Sequence, residues 1–481
     1  MNTALIYGTI LWLFSVGVYQ GNKPLPHGLN YTSDIIYADT SGVELLVDLT
    51  SVNSVGDTVQ HQEIFDSLFT YIEQAEKYIL IDMFLFNQYT GPSGFVYRNI
   101  TLELQEKLIQ QKQKYPDLQI DFITDPVNVF YGGSIASELE ALKANGINVI
   151  ITDLRKIRDS APIYSSIWRT FIQWFGNSNK YGILPNPFDA QGQKVTFRSY
   201  FDFLNLKANH RKVCIVDSPE GPVSFVMSAN PHSASSDFSN VAVMFRGAIA
   251  QQLYETEKTV AEMSGSVLHG EKYLQTMDQV TKPETYAIQV ITEQQIKDRL
   301  LANIDDLVAQ DTLFIAMFYF SNRDVINSLV DASKRGVIVK IILDPNKDGF
   351  GFYRSGIPNQ VIAGELLKRS KNKISIKWYH TRGEEFHTKL ALTLPKEKKP
   401  SVILGSSNYT RKNLNNYNLE LDVVIDADRS SPLITETSAY FDKLWLNTDN
   451  IYTTDYEQFA HTSLLRTLQY RFQEYTGLGV Y

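Results

Sequence analysis

Two tripeptides, His210-Arg211-Lys212 and His387-Thr388-Lys389, each open an apolar run. Each run is followed by a small-residue turn ending in asparagine, Ser228-Ala229-Asn230 and Ser406-Ser407-Asn408, at a nearly equal interval. Residues two apart on a strand share a face. Each copy therefore sets a titratable imidazole beside a fixed positive charge, with an amide donor arriving from the next strand. Two such half-sites suggest one composite site for an anionic phosphoryl group. With 8 His in the chain, roughly 0.4 His-x-Lys pairs are expected by chance, so a lone copy carries little and the matched asparagine spacing carries much more.

Exchange of a phosphodiester needs a nucleophile on phosphorus, a proton for the departing alkoxide and charge to offset the equatorial oxygens. One histidine can attack while the other donates and then recovers the proton, because an imidazole pKa of about 6.5 suits both tasks. Lys212, Lys389, Asn230 and Asn408 would hold the phosphoryl oxygens. This chemistry requires no metal and no cofactor.

The elements that must position these groups are themselves duplicated. Residues 78–87 resemble 312–321, and Phe122-Ile123-Thr124-Asp125-Pro126 resembles Ile341-Ile342-Leu343-Asp344-Pro345. The two Asp-Pro pairs read as turn formers at strand ends. Apolar periodicity predicts helices over 62–76, 101–113, 134–145, 249–263, 292–309, 324–335 and 433–447. Strands are expected over 78–86, 119–124, 147–152, 312–320, 337–343 and 374–378. Alternating helices and continuously apolar strands indicate mixed sheets covered by helices, an α/β fold. The halves are assigned to 37–264 and 285–481, with the boundary in the polar region 265–284. An insertion at 153–194 carries Trp168, Phe171, Trp174, Phe175 and Phe188 and has no counterpart in the second half. It reads as a lining for an acyl-chain groove or a membrane-interface segment, against the alternative that its aromatics pack inward. The last stretch, 456–481, is expected to add one packed helix.

At 481 residues, 43% hydrophobic and 20% charged, the chain is ordinary globular material with room for a large core. A net charge of −8 and a pI near 5.6 argue against a broad nucleic-acid-binding surface, which needs a basic stripe. The single cysteine, Cys214, excludes an intrachain disulfide and a cysteine-based metal site and reads as a small core residue. Residues 1–22 contain an uncharged apolar run followed by a Pro-rich linker, the pattern of a membrane anchor or export signal.

With its paired motifs the chain resembles the phospholipase D superfamily, whose signature is His-x-Lys-x4-Asp in two copies. His210 through Asp217 matches in full, and the resemblance extends from about residue 37 onward. The N-terminal segment and the run Ala208-Asn209-His210-Arg211-Lys212 are similar to the bacterial phospholipase D and cardiolipin synthase branch. The resemblance implies two mixed-sheet α/β halves related by a pseudo-twofold, with one active site between them built from His210, Lys212, Asp217, Asn230, His387, Lys389, Asn408 and Glu420. Two positions depart from the pattern. Leu394 stands where the second aspartate is expected, a place that Thr393 or an outside residue would have to fill. The family's acidic residue after each asparagine turn is Glu420 in the second half, whereas the first half offers Asn240. Since these carboxylates can orient the histidine of the opposite half, Glu420 would serve His210 as nucleophile, and His387, facing Asn240, would be the acid and base.

The function implied is phosphodiester cleavage of phospholipids through a phosphohistidine, by transfer as in cardiolipin synthesis or by hydrolysis to phosphatidic acid. The expected partners are a phospholipid, a membrane (a bacterial cell membrane on this branch) and an alcohol or lipid acceptor, with no nucleic acid and a monomeric chain. A nuclease acting on DNA or RNA, or a scaffold that kept the fold, are the competing functions.

Overall fold

The computed structural model describes residues 3–91, 96–188, 192–274, 285–349, 352–460, 463–479 and 481. Of the boundary region 265–284, residues 275–284 lie outside the described residues. Two large mixed sheets form. The eight-stranded first sheet runs Thr58–His61, Val43–Val52, Asn240–Arg246, Val223–Met227, Lys212–Val216, Tyr78–Met83, Gln119–Thr124, Asn148–Ile151. The nine-stranded second sheet runs Ile36–Asp39, Thr285–Thr292, Leu421–Asp426, Ser401–Gly405, Lys389–Leu394, Thr312–Met317, Ile338–Leu343, Ile374–Tyr379, Thr453–Asp455. Apart from the outermost strands the two orders are the same, and in each the motif strand lies antiparallel between the asparagine-turn strand and the first βαβ strand.

Strand periodicity explains how the sheets meet. Leu80, Val213, Ile215, Val226 and Val243 of the first sheet share one buried cluster with Phe314, Leu390, Leu392, Val402 and Val423 of the second. The alternate residues Ile79, Ile81, Cys214 and Phe225 instead pack on Phe65, Leu68, Leu104 and Leu108 of the covering helices Ile64–Ile72 and Ile100–Lys114. Both faces are thus apolar, as the continuous runs required. Each such side chain contributes about 1.5–3 kcal/mol on burial. A one-residue slip would turn the inner set outward and carry His210 away from the interface.

The N-terminal assignment needs a correction. Ile36–Asp39 pairs antiparallel with Thr285–Thr292, so the stretch from residue 37 begins on the second half's sheet and enters the first half only at Val43–Val52. A four-residue strand carries too little pattern to disclose its sheet, and the edge it covers would otherwise expose unpaired backbone.

The helix Thr3–Asn22 is apolar along its length, with Gly17 and Gly21 its buried residues. A Cβ on Gly17 would come within 2.9 Å of the Pro162 carbonyl oxygen, so glycine permits the helix to rest on Pro162–Ile167 of the insertion. Leu5, Trp12 and Phe14 face outward. The insertion divides: Trp168 is buried and Phe188 packs tilted against Phe130 and edge-on to Phe203, whereas Phe171, Trp174 and Phe175 are exposed. The C-terminal helix Leu464–Thr476 also differs from expectation, since it buries Tyr470 and leaves Leu464, Leu465, Leu468 and Phe472 exposed.

Candidate active site

The two motif strands bring their histidines to the seam between the halves, where main-chain bonds cross from one half to the other. His210 N donates to Leu419 O at 2.8 Å, and His387 N donates to Ser239 O at 2.9 Å. Each histidine therefore faces the start of the strand that follows the opposite half's asparagine turn, Leu421–Asp426 for His210 and Asn240–Arg246 for His387. His210 Nδ1 lies 3.0 Å from Glu420 Oε2, and His387 Nδ1 lies 3.1 Å from Asn240 Oδ1. Each acceptor is also held by a serine: Ser406 Oγ donates to Glu420 at 2.5 Å, and Ser228 Oγ donates to Asn240 at 2.9 Å. An acceptor oxygen requires the proton on Nδ1 and leaves the Nε2 lone pair free.

Rings and cations repeat the same symmetry. Phe84 lies 4.9 Å from the His210 ring and Phe318 lies 5.0 Å from that of His387, centroid to centroid. Lys212 Nζ donates to His210 O and Lys389 Nζ to His387 O, both at 2.7 Å, which leaves each ammonium further donors. Asn230 Oδ1 accepts from Leu85 N and Asn408 Oδ1 from Tyr319 N, each at 3.3 Å. Because the carbonyl ends are occupied, the amide NH2 groups are the ends available to a ligand.

Burial dominates the electrostatics. It holds His210 well below the usual imidazole range, aided by Lys212 and Lys389, and depresses His387 with the same two lysines in reverse order. It lowers Lys212 to about 7. Burial, then the proximity of Lys212, takes Lys389 well down. Glu420 is pushed up to about 7 by burial, opposed by Lys212. Each lysine acts on both histidines, so the four basic groups form one centre. An oxyanion placed among them would relieve their repulsion.

His210, Lys212, Asn230, His387, Lys389, Asn408 and Glu420 therefore converge. Asp217 does not: it lies past the far end of its strand and accepts from the amides of Glu76, Lys77 and Tyr78 at 2.8–3.2 Å, bracing the entry to Tyr78–Met83. The second half, with Leu394, makes this brace from the other side. Asp311, just ahead of Thr312–Met317, accepts from Lys396 N at 2.8 Å and Val308 N at 2.9 Å.

Sequence reasoning missed several supports. Asp125 and Asp344 are more than turn formers: each accepts, at 2.7 Å, the amide of the residue preceding a histidine, Asn209 and Phe386 respectively. Their placement at equivalent strand ends was the available signal. Asp422, pushed up to about 7 by burial, accepts from Ser407 N at 3.0 Å and stands opposite Ala242 in the repeat. Arg211, between the site residues but turned to the strand's other face, pairs in full burial with Glu257 and Glu293. Glu293 in turn accepts the amide of Glu420 at 3.2 Å. A cleft of about 760 Å³ opens mainly on the first half, lined in part by Asn87, Tyr89, Asn128, Phe188 and Phe352, and none of the converging residues lines it.

Residues 300–445 match the family described as "Cardiolipin synthase, PLD-like domain". Among solved structures, phosphatidylserine synthase of Haemophilus influenzae Rd KW20 superposes with a TM-score of 0.56 at 9% identity, covering 98% of both chains. Polyphosphate kinase of Porphyromonas gingivalis gives a TM-score of 0.48 at 12% identity, over 89% of this chain and 52% of that one. The phospholipase D family member Nuc of Salmonella typhimurium gives 0.27 at 21% identity, over 35% and 97%. No curated protein sequence matches the chain.

Proposed function

We propose that this chain, which has the duplicated phospholipase D fold and a cardiolipin synthase-type, phospholipase D-like domain in its second half, transfers phosphatidyl groups at a membrane through a phosphohistidine. The observation that carries the reading is the unequal pairing of the histidines, Glu420 on His210 and Asn240 on His387. His210 Nε2 would attack phosphorus, and the bond to the departing alkoxide would break. The imidazole becomes cationic as it is phosphorylated, and the carboxylate of Glu420 stabilises that charge. His387, protonated once the phosphate offsets the lysines, gives its proton to the alkoxide. Asn240 holds the ring without stabilising an imidazolium, so release is favoured. The same nitrogen then deprotonates the acceptor, whose oxygen displaces His210 and restores both rings.

Membrane attachment rests on Thr3–Asn22, long and apolar enough to cross a bilayer. The exposed Phe171, Trp174 and Phe175 of the adjoining insertion suit the headgroup boundary. A lipid acceptor held beside the phosphohistidine outcompetes bulk water by proximity, and the Phe188-lined cleft is a place for its apolar part. These features favour transfer over hydrolysis, with the chain acting as a monomer. Product analysis tests it. Vesicles of phosphatidylglycerol should yield cardiolipin and glycerol; phosphatidic acid alone would leave a phospholipase D, and cleavage confined to single-stranded DNA would leave a nuclease.

A further inference from the structure

The C-terminal helix Leu464–Thr476 has its amphipathicity inside out. Leu464, Leu465, Leu468, Phe472 and Tyr475 are between 57% and 87% exposed. At helical spacing they fall within an arc of about 100°. Tyr470, on the opposite side, is buried against the second half's core. The exposed Arg471 and Arg466 tie the helix to the body through Glu365 at 2.8 Å and Gln360 at 3.2 Å. The stripe runs roughly 20 Å, the length of a 13-residue helix. An isolated exposed leucine means nothing, but a continuous stripe of this kind marks a contact surface.

Its position indicates what it meets. Gly477, the left-handed cap of this helix, packs so closely on the Ser160 carbonyl and Ala161 that a side chain would collide. Arg411 donates to the same Ser160 carbonyl at 3.0 Å and to Glu474 O at 2.8 Å. The next residue, Pro162, is the one on which Gly17 of the apolar N-terminal helix rests. The ends of both helices are thus fixed at one point of the body, residues 160–162. Beside that point lie Lys23, Arg155, Lys156 and Arg158: Lys23 Nζ donates to Arg155 O and Arg158 Nε donates to Lys23 O, both at 2.8 Å. Asp153 answers Arg155, and the local balance stays positive. From the helix, the tail leads inward. Tyr481 lies 6.1 Å from Tyr319, Tyr319 lies 4.0 Å from Phe318, and Phe318 is the ring against His387.

We propose that Leu464–Thr476 is a second membrane-seating element, lying flat in the surface of the bilayer that takes Thr3–Asn22, with anionic headgroups held by the basic cluster around Lys23. Two helices leaving the same point of the body would fix its orientation and keep the His387 side of the site against the lipid surface, as a single anchor does not. Apolar side chains enter the interface and the polar face stays with the protein, the usual balance of an interfacial helix. The inference rests on the reading of Thr3–Asn22 as a membrane helix and is independent of the reaction catalysed.

The test uses full-length protein in phosphatidylcholine–phosphatidylglycerol vesicles containing lipids brominated on their acyl chains. Fluorescent labels are placed singly at Leu468→Cys, Leu11→Cys and Lys398→Cys; Cys214 is buried and does not compete. Lys398 follows the far end of Lys389–Leu394, away from the histidine. Bromine should quench the Leu11 and Leu468 positions at least about twofold more than Lys398, as acyl-chain depth requires. Quenching at Leu11 with none at Leu468 beyond that at Lys398 overturns this proposal and leaves the anchor standing. No quenching at Leu11 overturns the anchor and this proposal with it. A Leu468 label shielded in lipid-free detergent by dimerisation would assign the stripe to a second copy and also overturn it. As a functional companion, Leu468→Glu with Phe472→Glu should lower turnover of vesicle lipid about tenfold or more, the loss of two buried apolar side chains, and leave turnover of a monomeric short-chain phospholipid unchanged.

Discussion

Replacing Glu420 by Gln preserves volume and an acceptor oxygen but removes the charge. In the resting site Glu420 accepts from His210 Nδ1 at 3.0 Å, from Ser406 Oγ at 2.5 Å and from Asn413 Nδ2. With both imidazole and carboxylate uncharged or singly charged, the substitution is mild. The cost appears when His210 becomes cationic. A carboxylate about 4 Å from a unit positive charge contributes about 4 kcal/mol at an effective dielectric of about 20, and a charge-assisted hydrogen bond exceeds a neutral one by about 1–2 kcal/mol. Allowing for partial charge in the transition state, a loss of about 2–4 kcal/mol follows, or about 30- to 1,000-fold in the rate of phosphohistidine formation. Single-turnover quench flow reads that rate directly. The pH profile supplies a second readout with a definite sign. Glu420 is raised to about 7 by burial, and its anion is the active form. Wild-type kcat/KM should therefore rise with pH through about 7. In Glu420→Gln that acid limb should vanish, leaving one below the ordinary imidazole range, where burial and the two lysines hold His210. A loss under about fivefold, or a loss no larger than that of Asn240→Ala, would refute the assignment of Glu420 to the nucleophile.

Asp217→Ala removes an acceptor of three backbone amides and should lower stability by roughly 1–3 kcal/mol in urea unfolding. Its kcat should stay within about threefold of wild type, far less than a catalytic group would cost. Arg211→Met strands Glu257 and Glu293 in full burial, so a loss of about 3–5 kcal/mol in the same assay is expected. Lys389→Met should cut kcat by about a hundredfold or more, the scale of losing one oxyanion donor, while the urea midpoint holds or rises because its burial disfavours the charged amine.

Much of this site was legible because it is repeated. Periodicity placed Gln119–Thr124 and Ile249–Met263 at their observed bounds, and the His-x-Lys and asparagine pairs identified the seam. What escaped lacks an echo or a local pattern. The strand Val43–Val52 and the helix Asn359–Ser370 were missed, the first although the turn Asp39 to Gly42 marks its start, the second because its repeat partner is the shorter Ser137–Ala144. Asp311, which braces the motif that lost its aspartate, comes from the neighbouring strand and is invisible to motif reading. Glu293 reaches Arg211, Glu420 N and Asn30 N from one buried side chain, a contact set that only tertiary structure assembles. The outward stripe of Leu464–Thr476 has the same spacing as a core-facing one. Sequence gives the stripe, and only packing says which way it turns.

The central claim is that the halves are unequal and that His210, backed by Glu420, takes the phosphatidyl group. Acid-quenched single turnover with phospholipid labelled at phosphorus, followed by peptide mapping under conditions that preserve the phosphorus–nitrogen bond, tests it most directly. Label on the peptide carrying His210, absent in His210→Ala, is the result predicted. Label on His387, or on both histidines alike, would contradict it.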